Sequence, residues 1–382
     1  MNNIIGHEKK DCCGCTACMN ICPKNAIIME KDSEGFYYPS IDIEKCIQCG
    51  LCKKVCPIRF RDENQINNMS KKIYAAKNND PNIVLSSSSG GMFGVLVKFV
   101  INHGGIVFGA QYDKNFNVIH SYSETIKECK KYSRSKYVQS DLNRCYSEVK
   151  EKLDNNILVL FTGTPCQVQG LKLYLRKDYN NLITCDIVCH GVPSPKVFRD
   201  YLNFLCDKYK SQIVDINMKF KKYGWEKPVI KIEFDNGKKI INTKETRLWT
   251  EIFFEHYATR LCCHDCRFAN FNRPGDITIG DFWGIHDSHP NFYDYNGVSL
   301  LLINNKKGNM IFNKIKDQIT YIESCEEKAI QPNLKEPSKP SDRRDEFWND
   351  YSKVDFKKIA YKYLDYNIIS IIKSRIKEVL EK

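Results

Sequence analysis

The sequence predicts an α/β (α+β) core, preceded by a small cysteine-rich module and followed by a largely helical extension. Three observations carry this reading. One cysteine pattern occurs twice within residues 12–57, and apolar strand-like runs alternate with helix-like runs from Ile73 onward. A Pro/Ser-rich stretch near residue 337 is then followed by a basic, amphipathic C-terminus. A chain of 382 residues exceeds one average domain, so the expected division is three parts: 1–60, 73–300 and 301–382.

The first part is the most specific. Cys12-Cys-Gly-Cys15-Thr-Ala-Cys18-Met-Asn-Ile-Cys22-Pro23 recurs as Cys46-Ile-Gln-Cys49-Gly-Leu-Cys52-Lys-Lys-Val-Cys56-Pro57. Between the copies, GFYYPSIDI alternates as a short strand does. A 4Fe-4S cube needs four thiolates at its iron corners. Three come from CxxCxxC in one tight loop, and in a doubled motif the fourth belongs to the other half. The spacing therefore predicts a small bacterial-type ferredoxin domain with two 4Fe-4S clusters. Cys12, Cys15, Cys18 and Cys56 hold one, and Cys46, Cys49, Cys52 and Cys22 the other, with Pro23 and Pro57 closing each loop. Zinc also uses CxxC pairs, but a zinc module has no need of CxxCxxCxxxCP twice. Cys13 is surplus to the pattern and reads as a bystander thiol. Residues 58–72 (IRFRDENQINNMSKK) are polar and aperiodic, and read as a linker.

In the body, SSSSGG (86–91) precedes a helical run from Met92 to Ile101, and GGIVFGAQYD (104–113) reads as a strand. Residues 141–153 look helical. NILVLFTGTPCQ (156–167) gives strand, loop and helix in succession, and NLITCDIVCHGVPSP (181–195) repeats that grammar before a helix over 196–209. Such alternation implies parallel strand pairing. VIKIEFDNGKKIINT (229–243) is a hairpin with Asn-Gly at its turn. GDITIGDFWG (275–284) is a short strand leading into a Gly/Trp loop, and residues 358–382 read as a basic amphipathic helix packed on the body.

Four more cysteines sit in motif-like settings: Cys166 in GTPCQ, Cys189 in CHGVPSP, and Cys263 and Cys266 in RLCCHDCRF. The first two follow apolar strands, where α/β sheets carry their functional loops. Spacing alone leaves a third cluster, a zinc site and inert buried thiols all open. SSSSGG at a helix start offers N–H groups and hydroxyls to an anion such as a pyrophosphate, or is simply a cap and turn. Lys136, among the hydroxyls of SRSKYVQSD, suits a phosphate or an aromatic cofactor ring, and equally a solvated loop. No G-x-G-x-x-G follows a strand, so an ordinary nicotinamide site is not supported. The eight histidines lack paired-ligand spacing and read as structural.

Nineteen cysteines clustered at CxxC spacing, with no secretory h-region and no apolar run of about 20 residues, indicate a reducing compartment and a cytoplasmic protein without a membrane span. The formal charge of +12 is scattered rather than striped. Twelve cluster thiolates, offset in part by their irons, would halve it, so nucleic acid is not an expected partner.

Taken in order, SSSSGG, SKYVQS, GTPCQ, CHGVPSP, CxxCRF and DITIGDFWG resemble the signature blocks of the coenzyme F420 hydrogenase/dehydrogenase family of beta subunits over residues 73–300. Several members carry the dicluster ferredoxin module in front. The resemblance implies a flavin-binding core holding FAD beside a 4Fe-4S cluster. It makes Cys166, Cys189, Cys263 and Cys266 that cluster's ligands. Ser89, Gly90, Gly91, Ser135, Lys136 and the Gly163-Thr164-Pro165 turn become flavin or substrate contacts, with Lys136 placed to stabilise the reduced flavin and so to act catalytically. The implied function is an iron–sulfur flavoprotein oxidoreductase. It would exchange electrons between a ferredoxin-like or other redox protein and a small-molecule two-electron carrier or substrate. Two other readings stand beside it: a non-catalytic electron-relay subunit, and a sugar- or nucleotide-binding protein of polysaccharide synthesis with structural clusters. Residues 301–382 match none of the blocks.

Overall fold

A computed structural model describes residues 8–59 and 71–380. Residues 1–7 and most of the expected linker, residues 60–70, lie outside the described residues.

The N-terminal module is two cysteine loops, each with a short helix (Ala17–Ile21 and Leu51–Lys54), around the hairpin β1 (Ile27–Lys31) and β2 (Tyr37–Ile41). Thr16 and Gly50 occupy equivalent left-handed N-cap positions, so the sequence repeat is also a backbone repeat.

The body is built on eight strands: β3 (Lys72–Asn78), β4 (Ile106–Tyr112), β5 (Val118–Ser123), β6 (Val159–Gly163), β7 (Leu182–Ile187), β11 (Ile277–Asp281), β12 (Ser299–Ile303) and β13 (Ile319–Ser324). A separate sheet holds β8 (Ile213–Phe220), β9 (Val229–Phe234) and β10 (Lys239–Ile241). The large sheet runs β13-β3-β12-β11-β7-β6-β4-β5. Its centre, β11-β7-β6-β4, is parallel, and every other pairing is antiparallel. The sheet therefore continues past residue 300, because β12 spans that position and β13 forms the edge beyond it.

Period-two alternation sorts the side chains between two layers. Val107, Leu160, Ile183 and Ile277 face the helices Met92–Asn102 and Lys306–Ile315. Ile106, Phe108, Val159, Phe161 and Leu182 face the helices Cys145–Asp154 and Pro165–Leu175. That second layer also takes in Cys13, Cys15, Ala17 and Val55, so the cysteine module is packed into the core of the body. A third core joins the small sheet to the helices Pro195–Tyr209, Lys244–Phe254, Arg344–Tyr351 and Phe356–Tyr363. The C-terminal region holds two helices in place of one, broken after Tyr363. In the last of them Ile371 packs on the core, while Ile368, Ile369, Ile372 and Ile376 are exposed.

Candidate functional site

Parallel strands deliver their C-terminal ends to one edge of the sheet, and the motif loops lie there. GTPCQ follows β6. Its Thr164 caps the helix Pro165–Leu175 through a capping box with Gln167, and Pro165 takes the first helical position. That geometry fixes Cys166 in the first turn, 3.2 Å from the Thr164 hydroxyl. CHGVPSP follows β7. Gly191 has φ +116°, and a Cβ there would stand 3.0 Å from Thr259 and 3.4 Å from the Cys263 side chain. Arg260 N–H donates to the Val192 carbonyl and Ser194 N–H to that of Ala258, stitching the loop to the turn Leu261–Asp265. Cys266 is anchored from the other side. Arg273 and Asp186 form a fully buried ion pair at 2.7 Å, and Asp186 also accepts from Gly275 N–H and Thr278 Oγ1.

The four thiols therefore lie near enough to act on one another electrostatically. Cys189 is pushed up to about 12 by burial and by the charges of Cys166 and Cys266, and Cys266 likewise by burial and Cys166. Cys263 is raised by its hydrogen bond with Cys262, by burial, and by the charges of Cys262, Cys189 and Cys266. Such a set is unfavourable as free thiolates, and an electropositive core among the sulfurs reverses that cost.

In the module, Cys12, Cys15, Cys18 and Cys56 line a cavity of about 340 Å³ together with Tyr38 and Pro57. Burial raises Cys18, and the charges of Cys12 and Cys56 add to it. Cys46 and Cys49 both act on Cys52, while Cys22 and Cys52 border one small apolar cluster with Met29 and Ile41. Cys56 thus stands with the first loop and Cys22 beside the second. Among the described residues, no three His, Cys, Asp or Glu side chains close around a single metal ion. Thiolates about one ion stand within about 4 Å of each other, whereas a cube holds them at the corners of a larger body. The cavity and its all-thiol donor set fit the larger group.

Cys13 is no bystander in position. Its thiol is shared between Cys15 and Cys166, so a single thiol separates the first module set from the set in the body. Gly170 allows the approach, because a Cβ there would lie 3.0 Å from Cys15 Sγ and 3.0 Å from the Tyr146 hydroxyl.

The remaining blocks converge on the same edge. Ser135 N–H donates to Ser88 Oγ at 2.8 Å, and Ser89 Oγ donates to the Val298 carbonyl. Gly90 is wedged between β3 and β12, where a Cβ would meet the Ala76 carbonyl at 2.6 Å, and Gly91 (φ +84°) caps the helix that follows. Packing therefore accounts for both glycines. Gln167 Nε2 donates to Ser140 Oγ, which joins GTPCQ to SKYVQS. Lys136 Nζ donates to the carbonyls of Ser133 and Arg134 and lies 5.7 Å above the Tyr112 ring. Burial, with Arg134 nearby, brings Lys136 down to about 7. Its charge also reaches His120, whose Nε2 lies 3.1 Å from the Thr162 carbonyl. Among the described residues, the Tyr112 hydroxyl and His120 Nδ1 are buried without a hydrogen-bond partner. Lys219, which pairs with Asp281 against Tyr137, completes this wall and carried no sequence motif.

Residues 157–328 match the family model for the C terminus of the beta subunit of coenzyme F420 hydrogenase/dehydrogenase, and residues 11–59 match the 4Fe-4S dicluster domain. Residues 157–328 belong to the coenzyme F420 hydrogenase/dehydrogenase family of beta subunits. The chain is 24% identical over 335 residues to the F subunit of the F(420)H(2) dehydrogenase from Methanosarcina mazei, covering 84% of this chain and 86% of that protein. It is 24% identical over 360 residues to the coenzyme F420-dependent sulfite reductase of Methanocaldococcus jannaschii, covering 91% of this chain but only 52% of that longer protein. The cysteine module alone is 43% identical over 54 residues to an uncharacterized ferredoxin of the latter organism, covering 14% of this chain and 66% of the ferredoxin. The chain is thus an iron–sulfur redox protein related to these F420-dependent proteins, with a dicluster 4Fe-4S module at its N-terminus. Among the described residues, no helix is long and apolar enough to cross a membrane.

Proposed function

We propose that the protein is a cytoplasmic iron–sulfur flavoprotein that passes electrons between a ferredoxin-like one-electron partner and a two-electron organic carrier or substrate. In this reading the cysteine module and the sheet-based body share the labour, and Cys166, Cys189, Cys263 and Cys266 hold a third 4Fe-4S cluster. The observation that supports it is that these four thiols, drawn from three separated loops at one sheet edge, act on one another electrostatically, with Cys13 between Cys166 and the first set of the module. FAD, when bound, would supply the exchange between two-electron and one-electron transfer.

The residues suited to hold it are those that converge on the sheet edge. Ser89, Ser135 and the Gly163-Thr164-Pro165 turn offer hydroxyls and N–H groups, with Gly90 and Gly91 shaping the approach. Tyr112 and His120 offer polar atoms that no group among the described residues satisfies, and a buried polar atom without a partner is costly enough to argue for a polar ligand. Lys136 would place a cation where negative charge develops. A relative described as F420-dependent favours a deazaflavin as the two-electron carrier. Anaerobic purification followed by acid release of flavin tests the reading. About one FAD per chain is expected from a single site. No flavin, persisting after incubation with FAD, would instead favour an electron-relay subunit.

A further inference from the structure

Arg260 lies at the seam between the cysteine module and the body, with none of its side chain exposed. Its Nε donates to the Cys12 carbonyl at 2.7 Å, Nη1 to Gln139 Oε1 at 2.9 Å, and Nη2 to the Tyr37 carbonyl at 2.9 Å. The guanidinium stacks 4.2 Å from the Tyr38 ring. Gly14 (φ +69°) rests against it, since a Cβ there would stand 3.1 Å from Arg260 Cζ. The backbone of Arg260 continues into the body set, because its carbonyl accepts from Cys263 N–H at 2.9 Å.

The oxygen acceptors that Arg260 meets are neutral amide groups, and it also hydrogen-bonds the Cys262 thiol. Among the described residues no carboxylate pairs with it, in contrast to Arg273 with Asp186 and Arg344 with Glu34. A wholly buried cation without a counter-ion costs several kcal/mol, so an anion belongs nearby. The ionisable groups that favour its charge are the Cys12, Cys262 and Cys13 thiols and the Tyr38 hydroxyl. A 4Fe-4S cube on four thiolates carries net negative charge, and one electron makes it more negative.

We infer that Arg260 is the buried counter-ion of the module cluster that includes Cys12, a positioning residue that locks this cluster against the body and raises its reduction potential above that of its neighbour. The physical reason is the low effective dielectric of the seam, where a fixed cation favours the more negative, reduced cluster. The inference rests on the dicluster reading and does not need the third cluster or the flavin. If those are missing, iron and flavin counts fall while the two module clusters remain measurable.

The test is an EPR-monitored redox titration of the full-length, anaerobically purified protein, with iron counted on the same samples. Arg260→Gln removes the charge and keeps part of the hydrogen bonding. It is expected to lower one midpoint by at least a tenfold change in the reduction equilibrium, about 59 mV for one electron, while the other moves less. Arg260→Lys keeps the charge and stays nearer the wild type. Gln139→Glu sets a carboxylate on Nη1, at the cost of the Gln139 Nε2 donation to the Cys13 carbonyl, and should lower the same midpoint with Arg260 still present. Unchanged midpoints in iron-replete Arg260→Gln, or equal shifts of both clusters, would overturn the inference. Loss of iron from Arg260→Gln and Gln139→Glu but not from Arg260→Lys would support it. Loss of iron from all three would contradict it, because shape and not charge would then decide.

Discussion

Asp186 interrupts the apolar run LITCDIV, and the structure gives the reason. Its carboxylate takes Arg273, Gly275 N–H and Thr278 Oγ1 at once, all of them buried. That network aims the loop that ends in Cys266 at Cys189. Breaking a buried pair from one side strands the other charge, so Asp186→Ala should cost about 3–5 kcal/mol of unfolding free energy in denaturant titration. A loss below about 1 kcal/mol would mean that the pair does not hold the loop. His120 gives a pH signature of its own. Burial holds it near 4, below its ordinary value of 6.5, so the folded state favours the neutral ring. Between pH 6.5 and about 4 the unfolded chain binds the extra proton, and stability falls as the pH falls through that window. The slope over this range should be shallower in His120→Gln, as read from denaturation midpoints at stepped pH.

At the level of elements, those with short-range grammar were legible in the sequence. The strand–loop–helix runs at β6 and β7 lie where their apolar runs and Gly/Pro loops place them, as do the helix after SSSSGG and the Asn-Gly hairpin β9–β10. The strands β3, β5, β8, β12 and β13 carried no such punctuation. Their pairing is largely long-range: β3, at the start of the body, meets β12 and β13 at its far end, which no local pattern records. The candidate site divides in the same way. The twelve motif cysteines could be picked out from spacing, strand ends and family resemblance, but Arg260, Gln139, Gly170 and Lys219 act through contacts that only the fold creates. Gly170 is the plainest case, since inside a helix it looks merely like a weak residue. At an exposed helix position Gly→Ala gains about 1 kcal/mol. Here the new methyl would press on Cys15 and Tyr146, and overpacking costs about 1–3 kcal/mol. Gly170→Ala should therefore be net destabilising in thermal unfolding, and a raised Tm would show that Cys15 does not pack on this helix.

Across the whole molecule, the module is seated in the body by more than its apolar core. Asn20 Nδ2 donates to the Asn143 carbonyl, Arg344 pairs with Glu34, and Arg267 donates to the carbonyls of Pro57 and Ile58. These contacts flank the seam where Cys13 stands between Cys15 and Cys166, and they hold both cysteine sets in one fixed arrangement. That arrangement suits a short relay from the body through the module to its exposed side, where Cys49 is open to solvent. The relay requires that the body set carry iron. The most direct measurement is iron per chain in anaerobically purified wild type and in Cys263→Ser/Cys266→Ser. Four irons per cube predict about twelve in the wild type and about eight in the variant, with the module clusters still reducible. Equal iron in the two proteins would contradict the account.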